Sequence, residues 1–370
     1  MMSIDFLLLN QIKKLETEAK YYEKNGEKDK ANEVYEKIAY LYEEAASKVS
    51  LQSTKELYLA KAREYRNKIS QKKVEKINGD ETDYLQVAKS MIEKTDLTWG
   101  DISGLDNVKS LLRQAVGIAI SKPEKPVKLD PPRSVLLFGP PGTGKTLLAS
   151  AASNSVNATF FNADISKILS KYVGDSPKIV DSLFSLAREK SPSIIFFDEF
   201  DAISISREEK ENVGTGLLQK VLTEMDGFRK SKDFVMVIAS TNRPWALDEA
   251  ILNRFDYRIY VPLPDFEARK GIFELELEKK GFEIEASYDD LAKRTEGYSG
   301  REIAHICRKA IMSMIKRVNP DVENAKPGYK LKIGKITKEE LYKAIEDTRP
   351  SVSKEMIRKY EEWNKEHGSV

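Results

Sequence analysis

The chain has 370 residues, more than one hydrophobic core usually serves, so we expect two or three domains. Lys and Arg number 61 against 59 Asp and Glu, and this balance argues against specific nucleic-acid binding. A single cysteine, Cys307, excludes an internal disulfide and favours a reducing compartment. No apolar run approaches the length of a membrane span, so we expect a soluble, cytoplasmic protein.

Residues 1–75 are predicted to form a three-helix bundle, because apolar side chains recur at three- or four-residue steps in three segments. A long coiled coil is the alternative, but Asn25-Gly26 and the turn at residues 50–54 interrupt any sustained heptad. The stretches Tyr21–Gly26 and Ala31–Tyr35 resemble the microtubule-interacting-and-transport domain.

The rest of the chain divides by its pattern. Residues 76–96 are polar and without a clear period, which predicts a flexible linker. Residues 97–264 alternate β-rich runs with helices, which predicts an α/β fold with a five-stranded parallel sheet and helices on both faces. Helices then dominate, predicting a lid subdomain over residues 265–350 and a C-terminal helix over 351–370. The five predicted strands are Val135–Phe138, Thr159–Asn162, Ile194–Phe197, Phe234–Ala239 and Arg258–Val261.

The segment Gly139–Thr146 has the spacing G-x-x-x-x-G-K-T between a predicted strand and a predicted helix. Its small residues let backbone N–H groups converge on phosphate oxygens at the helix N-terminus. We expect Lys145 to reach the outer phosphates and Thr146 to place its hydroxyl on Mg²⁺. A plain glycine-rich turn is the alternative. The residues expected to bind ATP here are Pro140, Pro141, Gly142, Thr143, Gly144, Lys145, Thr146 and Leu147.

Two further strands end in polar side chains at the same predicted edge of the sheet. Asp198 and Glu199 follow four apolar residues. We expect Asp198 to hold Mg²⁺ and Glu199 to polarise the water that attacks the γ-phosphate. Asn242 ends the next strand and is expected to contact the γ-phosphate or orient the water. The alternatives are a solvated acidic turn and a turn-forming asparagine.

These motifs, with Leu247–Ile251 and Arg254–Asp265, resemble the AAA ATPase family over about residues 97–366. The resemblance implies an ATP hydrolase that uses ATP and Mg²⁺ in a P-loop α/β core with a helical lid. It implies a homo-oligomeric ring, usually a hexamer, with ATP at each subunit boundary. The chain looks most like the meiotic clade of that family, which contains katanin, spastin and the vacuolar-protein-sorting ATPase that disassembles ESCRT-III filaments.

The resemblance also assigns residues. Asp101, Ile102 and Gly104 match the adenine pocket, and Ser299 and Gly300 match the lid turn beside the ribose. The expected catalytic residues within one subunit are Glu199, Lys145 and Asn242. Arg254 matches the arginine finger that reaches into the active site of the neighbouring subunit. Lys171, Tyr172 and Val173 match the loop that holds substrate in the central pore.

The chain departs from close family members at three places. It has Asn253 where they carry a second arginine, and Arg301 where they carry a small residue. For Arg301 we favour a solvent-facing position over an approach to the phosphates. Residues 319–336 form a short loop in place of a β-rich insertion, so we do not expect the cofactor protein that binds that insertion.

Residues 207–211 lie where a second pore loop belongs.

The function expected from the resemblance is a mechanoenzyme that pulls subunits out of ESCRT-III-like filaments. The N-terminal bundle would recruit the filament protein, with indirect membrane association at scission or archaeal division sites. Severing of a cytoskeletal polymer, as katanin and spastin do, is the second hypothesis. An ATP-gated scaffold that binds filaments without remodelling them is the third, and Glu199 argues against it, because a binding protein does not need that acid.

Overall fold

The structure is a computed structural model that describes residues 4–24, 28–48, 55, 58–63, 65–66, 81–121, 124–125, 131–171, 175–203, 213–228, 233–324 and 326–369. The chain divides into two compact units, residues 1–83 and residues 84–370. Each unit has its own hydrophobic core.

The first unit is helical. Helix α1 covers Ile4–Lys24, helix α2 covers Lys28–Lys48, and residues 58–63 and 65–66 are also helical. Their buried side chains form one cluster, which includes Ile12, Ala19, Val34, Ile38, Tyr42, Ala62 and Tyr65. The helical bundle expected here is present in the described residues. Its likeness to the microtubule-interacting-and-transport domain stays a prediction.

The linker predicted over residues 76–96 is wrong for residues 81–93. Helix α3 covers Glu81–Ser90 and strand β1 covers Ile92–Glu93. In the second unit, Ala88 is fully buried and Ile92 pairs antiparallel with Phe161. The order of this segment comes from contacts with residues about 70 positions away, which its own polar sequence does not reveal.

A mixed sheet of six strands organises the described part of the second unit, in the order β1-β3-β4-β5-β2-β6. Strands β2 to β6 are parallel, as predicted, and cover Ser134–Phe138, Thr159–Asp164, Ser193–Asp198, Val235–Thr241 and Tyr257–Tyr260. The sixth strand, β1, was not predicted, because two residues carry no alternating pattern. Helices α4 to α9 cover Asp106–Ile120, Lys145–Ser155, Ile165–Lys171, Ser176–Glu189, Val213–Phe228 and Glu249–Leu252.

The sheet has a hydrophobic cluster on each face, which is why its strands read as continuous apolar runs. Along β2, Leu136 and Phe138 belong to one cluster and Val135 and Leu137 to the other, as the two-residue period of a strand requires. The register places Phe138 opposite Thr241 in β5. The carboxyl ends of the central strands therefore meet at one edge, where open α/β sheets bind ligands.

A helical lid follows the sheet. Helices α10 to α13 cover Phe266–Glu276, Tyr288–Arg294, Gly300–Val318 and Lys338–Glu346. They enclose a third core that includes Phe273, Ile306, Met314 and Leu341. Helix α12 begins with a capping box, in which the backbone N–H of Ser299 donates to the carboxylate of Glu302 at 2.7 Å.

The last helix, α14, covers Lys354–His367 and returns to the sheet. Its buried side chains Tyr360 and Trp363 join the cluster that contains Phe138. Among the described helices, none combines the length and apolar character that a membrane crossing requires.

Candidate active site

The loop between β2 and α5 begins at Gly139, at the carboxyl edge of the sheet. Gly139, Gly142 and Gly144 have φ values of 148°, 76° and 93°, which side-chain-bearing residues rarely adopt. A Cβ atom on Gly139 would lie 2.3 Å from the carbonyl oxygen of Val261, and one on Gly142 would lie 2.8 Å from the Cβ atom of Arg301. Glycine is therefore required for the loop to pack this closely and to turn into the N-terminus of α5.

Lys145 is the first residue of α5 and is 7% exposed. Its Nζ atom donates to the carbonyl oxygens of Gly139 at 2.9 Å and Pro140 at 2.8 Å. Burial lowers the pKa of Lys145 to about 8, although the carboxylate of Asp198 partly offsets this effect. These hydrogen bonds place the amine of Lys145 at the base of the loop, where it can bind phosphate. A bound phosphate would in turn favour the charged form of the amine.

Thr146 and Asp198 supply the oxygen atoms of a candidate Mg²⁺ site. The hydroxyl of Thr146 lies 3.5 Å from Oδ2 of Asp198. Oδ1 of Asp198 accepts hydrogen bonds from the hydroxyl of Ser240 and from the backbone N–H of Glu199, which fixes the carboxylate. Hydroxyl and carboxylate oxygens suit Mg²⁺, which usually takes its other ligands from phosphates and water. In the described part of the chain, no cluster of three or more His, Cys, Asp or Glu residues could hold a metal by itself.

Glu199 lies one residue beyond β4 and has a φ of 53°. This left-handed conformation is uncommon for residues other than glycine and clusters at functional sites. The turn lets the next residue, Phe200, donate its N–H to the carbonyl oxygen of Ser240 at 2.9 Å. Glu199 is exposed and lines the same cleft as Asp198, so water reaches its carboxylate.

Asn242 follows the end of β5 and also lines this cleft. Its Oδ1 atom is buried and has no hydrogen-bond partner among the described residues. Buried polar atoms are normally paired, so an unpaired amide oxygen at a cleft points to a ligand or a water. A side-chain amide offers both an acceptor for water and donors for a phosphate oxygen.

These side chains surround a cleft of about 440 Å³ between the sheet edge and the lid. Most of the predicted site residues line it: Asp101, Ile102, Pro141, Gly142, Thr143, Gly144, Lys145, Thr146, Leu147, Asp198, Glu199, Asn242 and Gly300. A pocket of this size accommodates a nucleotide.

Three of the predicted ATP-binding residues are not among those that line the cleft. The carbonyl oxygen of Pro140 accepts hydrogen bonds from the amine of Lys145 and from the hydroxyl of Thr143. Ser299 caps helix α12. Gly104 has a φ of 63°, and a Cβ atom there would lie 2.4 Å from the Cβ atom of Ala268. Pro140 and Gly104 therefore support the site through the backbone and Ser299 supports it through its side chain, and none of the three lines the cleft.

Asp101 and Ile102, which the resemblance assigns to the adenine pocket, both line the cleft. Ile102 is 7% exposed and offers an apolar surface to a base. Oδ2 of Asp101 accepts hydrogen bonds from the backbone N–H of Thr98 at 2.8 Å and from its hydroxyl at 2.7 Å. These bonds lower the pKa of Asp101 and commit its carboxylate to this turn, so Asp101 contributes to the shape of the pocket.

The lid contributes more residues to the cleft than the predicted turn at Ser299 and Gly300. Arg301 is exposed to solvent, as favoured from the sequence, but it also lines the cleft, and its backbone N–H donates to the carbonyl oxygen of Gly142 at 3.1 Å. The charge of Arg301 contributes to the lowered pKa of Lys145. Ser103 also lines the cleft and lies within the segment 101–104 that was matched to the adenine pocket. The other lining residues, which were not predicted, are Leu105, Pro262, Pro264, Ile272, Leu275, Glu276 and Ala304. The turn Pro262–Asp265 was the feature of the sequence that could have indicated these lining residues, because the lid begins there, beside the phosphate loop.

Arg254 is not among the residues that line the cleft of its own chain. Its guanidinium lies 3.2 Å from the carboxylate of Asp226, and both side chains are about half exposed, at 45% and 48%. This position suits a residue that acts on a neighbouring subunit, and the finger role stays a prediction.

The predicted pore loops fall mostly outside the described residues. Lys171 ends helix α6, whereas Tyr172 and Val173 lie outside the described residues, as does the segment 207–211. Their roles therefore rest on the sequence resemblance.

Comparison with known proteins places this cleft in a family. The profile described as ATPase family associated with various cellular activities matches residues 135–263, which contain β2 except for its first residue, strands β3 to β6 and the phosphate loop. The AAA+ lid domain profile matches residues 285–326. A solved structure of the FIGL-1 AAA domain is 33% identical, with a TM-score of 0.68, over 78% of this chain and 96% of that one. The chain belongs to the AAA ATPase family. Members of this family use ATP with Mg²⁺, for which the cleft residues fit.

Three curated relatives narrow the position of the chain within the family. It is 41% identical to the cell division cycle protein 48 homolog of Archaeoglobus fulgidus, over 73% of this chain and 38% of the relative. It is 42% identical to mouse vacuolar protein sorting-associated protein 4B, over 62% of this chain and 52% of the relative. It is 38% identical to the Arabidopsis thaliana katanin p60 ATPase-containing subunit A1, over 74% of this chain and 55% of the relative.

The chain therefore spans about half the length of these relatives, or less. A further profile, the Vps4 C terminal oligomerisation domain, matches residues 310–368, which include α13 and α14. The AAA ATPase is thus related to Vps4, to katanin and to archaeal Cdc48-like proteins, and carries a C-terminal region of the kind that mediates self-assembly.

Proposed function

We propose that this AAA ATPase hydrolyses ATP in a homo-oligomeric ring and uses the energy to disassemble ESCRT-III-like filaments. The single observation that supports the proposal is the match of residues 310–368 to the Vps4 C terminal oligomerisation domain in a chain with a complete P-loop cleft. A helical N-terminal unit, residues 1–83, is available to recruit the filament protein. Cytoplasmic localisation with recruitment to membrane or division-site filaments belongs to the same proposal.

Hydrolysis follows from the roles available at the cleft. Lys145 and the N–H groups at the start of α5 hold the phosphates, and Ile102 packs on the base. Glu199 is solvent-accessible at the cleft and accepts a proton from the attacking water. Asn242 orients that water or the γ-phosphate. When bound by Thr146 and Asp198, Mg²⁺ offsets the negative charge of the phosphates.

Force is proposed to reach the filament at the central pore. In a ring, Tyr172 and its neighbours would face the channel and hold an extended segment of substrate by apolar contact, independently of its sequence. Arg254 of one subunit would complete the site of the next, so that each hydrolysis event changes a subunit boundary.

A second candidate function is the severing of a cytoskeletal polymer. The similarity to the Arabidopsis katanin subunit supports it, as does a solved structure described as the structural basis for katanin self-assembly, with 33% identity and a TM-score of 0.62. The engine would be the same, and the recruited polymer would differ.

The test is a sedimentation assay in which the full chain is added to filaments of an ESCRT-III protein or to microtubules, with ATP. We expect loss of sedimentable ESCRT-III polymer and intact microtubules. Glu199→Gln is the matched control, because it keeps the shape of the side chain and removes the base, which should reduce turnover by about a hundredfold or more. Loss of microtubules alone supports the severing function, and loss of neither polymer in the presence of ATP turnover contradicts both.

A further inference from the structure

The C-terminal helix α14 carries a polar contact to the active site as well as an apolar one. Tyr360 is 2% exposed and Trp363 is 8% exposed. The ring of Trp363 packs edge-on against Phe138, the residue before the phosphate loop, with centroids 4.5 Å apart. The ring of Tyr360 lies 5.0 Å from Trp245 and 6.1 Å from Tyr260. The helix is therefore fixed on the sheet edge that holds the cleft.

The hydroxyl of Tyr360 donates a hydrogen bond of 2.5 Å to the backbone carbonyl oxygen of Asn242. Burial raises the pKa of Tyr360 to about 12, so the hydroxyl keeps its proton at neutral pH. The bond joins residues that are 118 positions apart in the chain. It anchors the peptide that follows β5, at the point where the strand has ended and its ladder of hydrogen bonds no longer holds the backbone.

Asn242 is the residue whose placement this bond controls. Its unpaired Oδ1 atom lies at the cleft beside Asp198 and Glu199. The neighbouring residues of β5 are anchored separately, because Ser240 donates to Asp198 and Thr241 donates to Asp201 at 2.7 Å. The peptide between Asn242 and Arg243 is held from two sides: its N–H donates to the hydroxyl of Thr241 at 2.9 Å, and its carbonyl oxygen accepts from Tyr360 on α14, outside the sheet.

We propose that Tyr360 is a positioning residue for ATP hydrolysis, and that it acts by holding the Asn242 peptide so that the side-chain amide meets the γ-phosphate or the attacking water. The inference rests on the ATPase activity proposed above and does not depend on which filament the protein remodels. It also gives α14 a second role: the helix lies within the region matched by the oligomerisation domain, so a change of its position at a subunit boundary would be felt at Asn242.

The aromatic ring and the hydroxyl of Tyr360 can be tested separately. Tyr360→Phe keeps the ring in its cluster and removes only the hydrogen bond. We expect kcat to fall about tenfold, because the misplaced amide of Asn242 should lose its hydrogen bond to the γ-phosphate or the water in the transition state. The Kd for ADP should change by less than about twofold, because ADP lacks the γ-phosphate that Asn242 serves.

Tyr260→Phe is the matched control. Tyr260 stacks on Tyr360, and burial raises its pKa to about 12 as well, yet its hydroxyl makes no hydrogen bond with the described residues. Its kcat should equal that of the wild type. Tyr360→Phe should lower the melting temperature slightly, because a buried hydrogen bond is lost, so kcat is measured well below the melting temperatures of both variants. The sedimentation profile with ATP should be unchanged in both variants, which separates positioning from assembly.

A double-mutant cycle decides whether Tyr360 acts through Asn242. Asn242→Ala removes the amide that the bond is proposed to hold, so adding Tyr360→Phe should lower kcat no further. A full additional loss in that background overturns the inference, as does an unchanged kcat in Tyr360→Phe alone or an equal loss in Tyr260→Phe. A wild type that hydrolyses no ATP contradicts the proposed function together with this inference, whereas failure of the variants in an active wild type contradicts the inference alone.

Discussion

Lys145 links the charge of the active site to pH. Burial keeps its pKa at about 8, well below the ordinary value for lysine. Bound phosphate favours the charged amine, so the pKa of Lys145 rises on nucleotide binding and the complex takes up a proton above pH 8. We expect ADP affinity to be constant below about pH 8 and to fall as pH rises beyond it, by at most about tenfold per pH unit.

Isothermal titration calorimetry with ADP at pH 7, 8 and 9, in buffers of different ionisation enthalpy, measures both the affinity and the proton uptake. Lys145→Arg is the control, because a guanidinium stays charged over this range and should remove the pH dependence. A wild-type affinity that stays constant to pH 9 would contradict the assigned role of Lys145 titration.

Arg301 offers a second residue-level prediction. Its side chain lines the cleft and makes no hydrogen bond or ion pair with the described residues, so its charge is available to a ligand. We expect Arg301→Ala to weaken ADP and ATP binding by about tenfold, the size expected for one charge-assisted hydrogen bond to phosphate, and to leave AMP binding less affected.

Arg308→Ala is the matched control for this prediction, since Arg308 is an exposed arginine on the same helix, α12, and is not among the lining residues. Fluorescence titration with labelled nucleotides measures the affinities. If both variants lose affinity equally, the effect is one of general charge, and if neither does, Arg301 does not bind phosphate.

The positions of the cleft residues at the sheet edge could be predicted one by one, because they depend on strand ends that carry strong local patterns. Their catalytic roles stay predictions. Lys145, Asp198 and Asn242 meet at one edge once the strands are parallel. The position of Arg301 at the cleft was weighed but not favoured from the sequence, because it depends on where the lid lies against Gly142, about 160 residues earlier in the chain. The left-handed conformation of Glu199 also has no signature in the sequence.

At the scale of elements, α3 and β1 show how tertiary contacts order a polar segment. Tyr84 donates to Asp175 at 3.0 Å, and Asn162 donates to Glu93 at 3.0 Å. The five parallel strands were predicted because both of their faces are buried and apolar. Residues 81–93 were predicted as linker because Ala88, the one buried side chain among residues 84–93, gives no periodic signal.

The same contacts make Ala88 a sensitive position. Ala88→Lys would force a charge into a fully buried site, and we expect it to cost about 2 kcal/mol or more of unfolding free energy. Gln86→Lys adds the same charge at an exposed position of α3 and should be neutral within about 0.5 kcal/mol.

Urea denaturation measures the stabilities of these variants, and hydrogen exchange shows where the effect lies. In Ala88→Lys, amides of α3 and β1 should exchange faster while those of lid helix α12 keep their protection. Unchanged exchange in residues 81–93 would show that the packing of Ala88 does not hold this segment.

At the scale of the whole molecule, the sequence predicts a homo-oligomeric ring whose nucleotide sites lie at the boundaries between subunits. The oligomerisation profile spans residues 310–368, yet these residues divide between the lid core and the sheet, where α14 packs. A neighbour that contacts this region would therefore contact helices that pack in the lid core and on the sheet, the two parts between which the cleft lies. Subunit contact and hydrolysis are expected to be coupled for that reason.

Arg254 provides the decisive test of the ring. It lies beside Asp226 and does not line the cleft of its own chain, so the proposed finger can act only on another subunit. We expect Arg254→Ala and Lys145→Ala proteins to be inactive separately and to recover ATPase activity when mixed, because some boundaries then pair an intact Lys145 with an intact Arg254. At equal ratio and random assembly, about a quarter of the boundaries are complete.

Asp226→Asn separates this role from a structural one. It removes the ion-pair partner of Arg254 and leaves the arginine in place, and an exposed pair of this kind contributes little to stability. Activity should therefore persist in Asp226→Asn and be lost in Arg254→Ala. Mixed rings contain boundaries at which an intact Lys145 faces an intact Arg254. If both proteins co-assemble and mixing still restores no turnover at any ratio, these boundaries are inactive and Arg254 does not act across the boundary.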